Sequence, residues 1–188
     1  MNKAHEPLAT RSTTAKIKTN SDLAEALDNI RSSGDTIVHC HGVFDLVHPG
    51  HIRHLEEAAR LGDCLIVTVT IDRFVNKGPG RPVFNSQLRA ETLAALECVK
   101  FVSFSESPTA VDLIKKFKPH VYVKGPDYAD PNSDVTGMFR EEANAVAAVG
   151  GRMHITDDIR MSSSELINQH FDNFKPETRE WITLWSQV

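Results

Sequence analysis

The sequence is poor in several features that would settle its class early. No run approaches the roughly 18–20 consecutive apolar residues of a membrane-spanning helix. The first residues lack the apolar core of a secretory signal, so the expected address is the cytoplasm. The three cysteines, Cys40, Cys64 and Cys98, are odd in number and never stand in a CxxC spacing. That excludes a disulfide framework and a zinc ribbon, and their apolar surroundings predict reduced, buried thiols. Basic residues are not in excess: 21 Lys and Arg stand against 25 Asp and Glu, for a net charge of −4. A nucleic-acid binder of ordinary kind would show a basic footprint. One cationic cleft remains compatible with that balance. There is no internal repeat. What remains, 40% hydrophobic and 24% charged residues over 188 positions, is the composition of one globular domain with a core that needs no staples.

Residues 1–20 are polar and aperiodic and are expected to form a flexible tail. Leu23, Ala26, Leu27 and Ile30 fall on one helical face, with Ser21 expected as N-cap and Gly34 beyond the end. Strand and helix patterns then alternate. Strands are predicted at 36–40, 64–70, 99–103, 120–123 and 152–155, and helices at 50–61, 86–97, 109–117, 139–149 and 162–171. Cys64-Leu-Ile-Val-Thr-Val-Thr70 is almost unbroken and β-branched, as in a parallel strand buried on both faces. Strands separated by single helices imply right-handed crossovers and a Rossmann-like, doubly wound α/β sheet over residues 21–173. Residues 174–188, with Trp181 and Trp185, read as a C-terminal amphipathic helix. It is expected to pack on the domain, to form a dimer contact, or to lead to a further domain.

Ligands of such sheets bind where loops leave the carboxyl ends of the strands. The chemistry-bearing residues fall in those loops. Gly42-Val43-Phe44-Asp45 ends the first strand, and His48-Pro49-Gly50-His51 opens the following helix. Two histidines three residues apart can face one point at a helix N-terminus, where backbone N–H groups and the helix dipole favour anions. Gly50 admits a phosphate close to the backbone. His39 and His41 flank Cys40 on the strand and share one side of it, so the three do not converge on a metal. His54 follows His51 by one turn and is expected at the pocket edge.

GVFD followed by HPGH resembles the signature of the HxGH nucleotidyltransferase superfamily. That superfamily includes cytidylyltransferases, pantetheine-phosphate adenylyltransferase and the nucleotidyltransferase domain of ADP-heptose synthase. The resemblance implies that His48 and His51 contact a triphosphate and stabilise the α-phosphate as pyrophosphate leaves. Phosphoryl chemistry asks for such positioning and charge neutralisation more than for covalent help. It further implies that Lys77, after the second strand, is a phosphate-binding lysine with Arg81 as a second cation, and that Arg89 reaches into the site from its helix. Val121-Tyr-Val-Lys124-Gly125-Pro-Asp127-Tyr128 resembles the KGGDY segment of ADP-heptose synthases and a related segment of glycerol-3-phosphate cytidylyltransferases. Lys124 is then expected at the acceptor phosphate, and Gly125 and Asp127 beside ligand. Ser162, Ser163 and Ser164 resemble the family's ISTT or ISSS motif, whose hydroxyls and helix N-terminus suit the β- and γ-phosphates.

Two departures from the family pattern bear on substrate. Thr156-Asp-Asp-Ile-Arg-Met-Ser162 stands where many cytidylyltransferases carry an RTEGIST-like run, which weakens an assignment of CTP. Residues 130–138 lengthen the stretch after KGPDY and point to a different or larger acceptor. The resemblance implies an enzyme that uses ATP or CTP and a small phosphorylated acceptor, a sugar phosphate or polyol phosphate, with release of pyrophosphate. Mg²⁺ is expected, carried by phosphates rather than by protein ligands alone. Neither nucleic acid nor membrane is an expected partner, and a homodimer or a fused or partnered sugar kinase is compatible with the family. The alternatives are a cytidylyltransferase making CDP-glycerol or CDP-ethanolamine type products, and a non-catalytic nucleotide-binding regulatory module.

Overall fold

In the computed structural model, residues 13–78, 80–126 and 138–157 are described. They alternate as α1 (Asn20–Ser32), β1 (Ile37–Gly42), α2 (Pro49–Ala59), β2 (Cys64–Thr70), α3 (Ser86–Ala94), β3 (Phe101–Ser105), α4 (Val111–Phe117), β4 (Val121–Lys124), α5 (Met138–Ala148) and β5 (Arg152–Ile155). The five strands lie in the order β3-β2-β1-β4-β5, and every pairing is parallel. This is the doubly wound sheet that the alternation predicts. The chain winds outwards from β1 to β3, then crosses back to build β4 and β5 on the other side of β1. The reversal places a crevice at the carboxyl ends of β1 and β4.

Side-chain alternation along the strands divides the core. Val38, Cys40, Leu65, Val67 and Val69 pack with Leu55 and Ala58 of α2 and Ala90, Leu93 and Ala94 of α3. The opposite face sets Ile37, Cys64 and Ile66 against Leu23 and Leu27 of α1 and Leu113 and Phe117 of α4. Tyr122, Ile114, Ala145 and Val146 continue that second layer towards α5. All seven β2 residues are buried. Cys40 and Cys64 are buried and Cys98 half-buried, all as free thiols. Burial is the largest influence on each and raises its pKa, that of Cys64 to about 11.

Several boundaries differ from expectation for local reasons. The N-cap of α1 is Thr19, whose side chain accepts the Asp22 N–H at 3.1 Å, rather than Ser21, which lies inside the helix. Residues 13–19, assigned to the tail by their polarity, contain a 3-10 turn at Thr14–Lys16 and run beside β3. Lys18 N–H donates to the Val102 carbonyl, and Ile17 pairs with Val102 and packs on the core. The tail thus covers an edge that polarity alone did not disclose. Helix α3 stops at Ala94, and a turn holds Leu96 and Val99 by N–H bonds to Leu93 and Leu96, so β3 starts at Phe101. The helix expected at 162–171, the tail at 1–12 and the segment 174–188 lie outside the described residues. Among the described residues no helix is long and apolar enough to cross a membrane.

Candidate active site

The site begins where β1 ends. A Cβ on Gly42 would sit 3.2 Å from the Phe44 ring, which would have to give by a few tenths of an ångström to admit it. Phe44 takes φ 50, the left-handed region, at a cost of roughly 1–2 kcal/mol for a side chain of its kind. The phenyl ring is buried and meets the His51 imidazole edge-on at 5.3 Å between centroids. Strained backbone therefore supports one of the two signature histidines directly.

His48 is the N-cap of α2, in extended conformation, with Pro49 next in the first turn. Its Nδ1 faces the His51 N–H at 3.4 Å, and its carbonyl accepts the Ile52 N–H at 3.1 Å. An Nδ1 that accepts leaves the proton of the neutral ring on Nε2. The His48 and His51 rings stack, with centroids 3.9 Å apart and planes inclined by 25°. Among the described residues, His48 Nε2 and His51 Nδ1 are buried and have no hydrogen-bond partner. Buried polar atoms are ordinarily satisfied, so two orphans on adjacent stacked rings mark a place built for a ligand.

Electrostatics agree. Burial lowers the pKa of His48, and the Lys77 ammonium lowers it further. His51 falls to about 3, through burial first, then the neighbouring His48, His54 and Lys77. Both rings are neutral N–H donors near pH 7, and an arriving polyanion would meet donors, the α2 N-terminus and Lys77 together. Lys77 itself is exposed, in the connection between β2 and α3. Its charge thus bears on both histidines.

Arg89 departs from expectation. It is 1% exposed, and its guanidinium serves the protein. Nε donates to the Phe84 carbonyl at 2.9 Å, one terminal nitrogen to the Val43 carbonyl, and the other to the Thr70 carbonyl at 2.8 Å and Asp72 Oδ1 at 2.6 Å. Arg89 ties the GVFD loop, the end of β2 and the start of α3 together behind the site, rather than presenting charge to a phosphate. Asp45, expected beside nucleotide, is likewise held: its carboxylate accepts the Val83 N–H at 2.6 Å and the Arg81 guanidinium.

Lys124 ends β4 across the crevice, followed by Gly125, where an added Cβ would meet nothing within 4 Å. The Lys124 ammonium lies 2.6 Å from Glu142 Oε2, both side chains being buried, and Glu142 Oε1 accepts the Ala110 N–H at 2.9 Å. Its charge is matched inside the fold, which differs from the open acceptor-phosphate contact expected of it. Glu142, one of two acidic residues on α5, carries no local sequence signal of this pairing. His54, 9% exposed, bonds through Nδ1 to Thr156 Oγ1 at 2.9 Å, and Thr156 N–H donates to the Lys124 carbonyl at 3.0 Å. That chain joins α2, β4 and the residues after β5 around the crevice. Asp127, Ser162, Ser163 and Ser164 lie outside the described residues.

The cytidylyltransferase-like family matches residues 39–169, from the middle of β1 past the serine motif. The chain belongs to this family. Curated relatives include a bifunctional protein HldE of Syntrophotalea carbinolica, 34% identical over 86% of this chain, and one of Methylococcus capsulatus, 40% identical over 82%. In both cases the match spans 32% of the relative, so the chain covers about a third of their length. Among solved structures, the lipopolysaccharide core biosynthesis protein of Thermoplasma volcanium aligns over 69% of this chain and all of its own, with a TM-score of 0.55 and 24% identity. A pantoate-β-alanine ligase of Francisella tularensis aligns over 81% of this chain and 72% of its own, with a TM-score of 0.54 and 16% identity. These two likenesses speak for the fold.

Proposed function

We propose that this cytidylyltransferase-like domain transfers a nucleoside monophosphate from ATP to a sugar phosphate and releases pyrophosphate. The observation that carries the reading is the stacked His48–His51 pair at the N-terminus of α2, with buried ring nitrogens that have no hydrogen-bond partner among the described residues. An acceptor phosphate oxygen attacks the α-phosphorus while the bond from that phosphorus to the bridging oxygen of the β-phosphate breaks. Negative charge grows on the non-bridging oxygens of the α-phosphate and on the departing pyrophosphate. Imidazole N–H groups fixed beside it stabilise that charge without reorganising. The acceptor phosphate is itself the nucleophile, so no covalent enzyme intermediate is required. Lys77 supports the reading as a cation near both rings, and Ser162, Ser163 and Ser164 remain the expected holders of the triphosphate tail.

Magnesium fits as a passenger of the phosphates. Asp45, the carboxylate of the GVFD loop, is already taken by Arg81 and the Val83 N–H. A divalent ion bound along with the substrates would supply further charge neutralisation.

The choice of ATP with a sugar phosphate rests on the KGPDY stretch and on Arg81-Pro82-Val83, which resemble segments of ADP-heptose synthases, and on the missing RTEGIST-like run. GVFDLVHPGH fits glycerol- and ethanolamine-phosphate cytidylyltransferases equally, so CTP with a polyol phosphate is the second reading. Pyrophosphate release from ATP and from CTP, each with sugar phosphates and with polyol phosphates, separates them. Release with ATP and a sugar phosphate is expected. Release with CTP alone overturns the nucleotide, and tight binding without any release favours a regulatory module.

A further inference from the structure

Lys77 stands in the connection between β2 and α3, and both ends of that connection are fastened by ion pairs. At the near end Asp72, in the 3-10 turn Asp72–Phe74, accepts from Arg89, whose side chain is fully buried. At the far end Arg81 donates to Asp45, and the two side chains are 8% and 0% exposed. The adjoining Val83 N–H bonds to the same carboxylate. Between the fastenings, Gly78 and Gly80 have φ of 90 and 74, conformations open mainly to glycine, and no atom lies within 4 Å of where their Cβ would be. A lysine side chain has some 2 kcal/mol of rotamer freedom. Its ammonium stays near one place only if its backbone is held. Asp45 belongs to the same loop as Phe44, and Arg89 also grips the Val43 carbonyl of that loop. Both fastenings therefore refer Lys77 to the backbone that supports His51.

We propose that Arg81 and Asp72 are positioning residues that act through Lys77, their ion pairs fixing the connection that carries it against the loop that supports His51. The catalytic consequence rests on the nucleotidyl-transfer reading; the placement of the charge does not. Arg81 was expected as a second phosphate cation, and its pairing with Asp45 assigns it this different work.

A double-mutant cycle tests the proposal, because residues that act through a third lose their effect when the third is removed. The His48 ring proton is titrated by NMR in the free protein for wild type, Lys77→Gln, Arg81→Gln and the double variant. Lys77→Gln is expected to raise the His48 pKa by removing a cation. Arg81→Gln is expected to raise it in the wild-type background and to add nothing in the Lys77→Gln background. An Arg81→Gln shift of the same size in both backgrounds overturns the proposal, since the uncovered Asp45 charge would then act on His48 directly. If Arg81→Gln does not fold, Asp72→Asn decides by the same cycle, its carboxylate being 44% exposed. In turnover, Arg81→Gln is expected to cost about tenfold in kcat/KM with Lys77 present and under about twofold without it. A wild-type protein with no turnover would defeat the nucleotidyl-transfer reading and still leave the NMR cycle readable.

Discussion

Thr68 offers one hydroxyl to two imidazoles. His39 Nε2 lies 2.8 Å from its oxygen and His41 Nδ1 2.9 Å, while Thr70 Oγ1 reaches His41 Nε2 at 3.4 Å. A hydroxyl donates once, so at least one ring must donate to it. His39 is fully buried between Tyr122 and Phe117, and burial is the main reason its pKa lies well below 6.5. His41 drops to about 4: burial dominates, Lys124 adds to it, and Glu142 with two backbone contacts opposes it. Both are neutral in the fold and become cationic more readily once unfolded. The unfolded chain then binds more protons between about pH 6.5 and pH 4, so stability rises with pH across that window. It is fully present above about 6.5, falls as the pH drops, and levels off below the folded pKa values. Urea midpoints measured from pH 7.5 to 4.5 should fall on the acid side, and His41→Gln should flatten the slope. A wild-type midpoint constant over this range would contradict the assignment of neutral buried histidines.

At the scale of elements, one tight junction is the turn from α2 into β2. Gly62 lies against the Thr36 carbonyl, and a Cβ there would sit 2.7 Å from that oxygen and 2.7 Å from Val38 Cγ2. The same carbonyl accepts the Asp63 and Cys64 N–H groups at 2.9 and 3.1 Å, which sets β2 beside β1. Gly62→Ala should therefore cost about 1–3 kcal/mol, as overpacking does. Chemical denaturation of that variant checks it, and an unchanged midpoint would show that the turn yields freely. Elements of this kind were largely legible in the sequence. β2 is a closed apolar run whose bounds the sequence and structure share, and HPGH announces its own helix start through a capping side chain and Pro49. Partners distant in sequence were not legible. Nothing local connects Arg89 to Val43, Asp45 to Arg81 or Lys124 to Glu142, because each pair forms only when the loops at the sheet's edge converge. Charged residues near a signature therefore read as ligands, although four of them, Asp45, Arg81, Arg89 and Lys124, are internal ties. The polarity of residues 13–19 hid an edge cover in the same way, since backbone pairing there needs no apolar pattern.

The whole molecule is organised by the reversal in strand order at β1. Loops leaving β1 and β4 diverge to opposite faces, and the crevice between them takes the Gly42–His51 loop on one side and Lys124–Gly125 on the other. His54 and Thr156 close a third side by linking α2 to the end of β5. A frame of parallel strands, buried on both faces, keeps those loops in register while leaving them open to the ligand. The same frame serves the cytidylyltransferase-like family and a ligase of low identity, which is why the chemistry must be argued from the histidine pair and not from the sheet. The most direct measurement is pyrophosphate release from ATP with a sugar phosphate, for the wild-type protein, His48→Ala and His51→Ala side by side. The account predicts turnover in the wild type and a loss of about 100-fold or more in each variant, with circular dichroism unchanged. Near-normal turnover in both variants would contradict it.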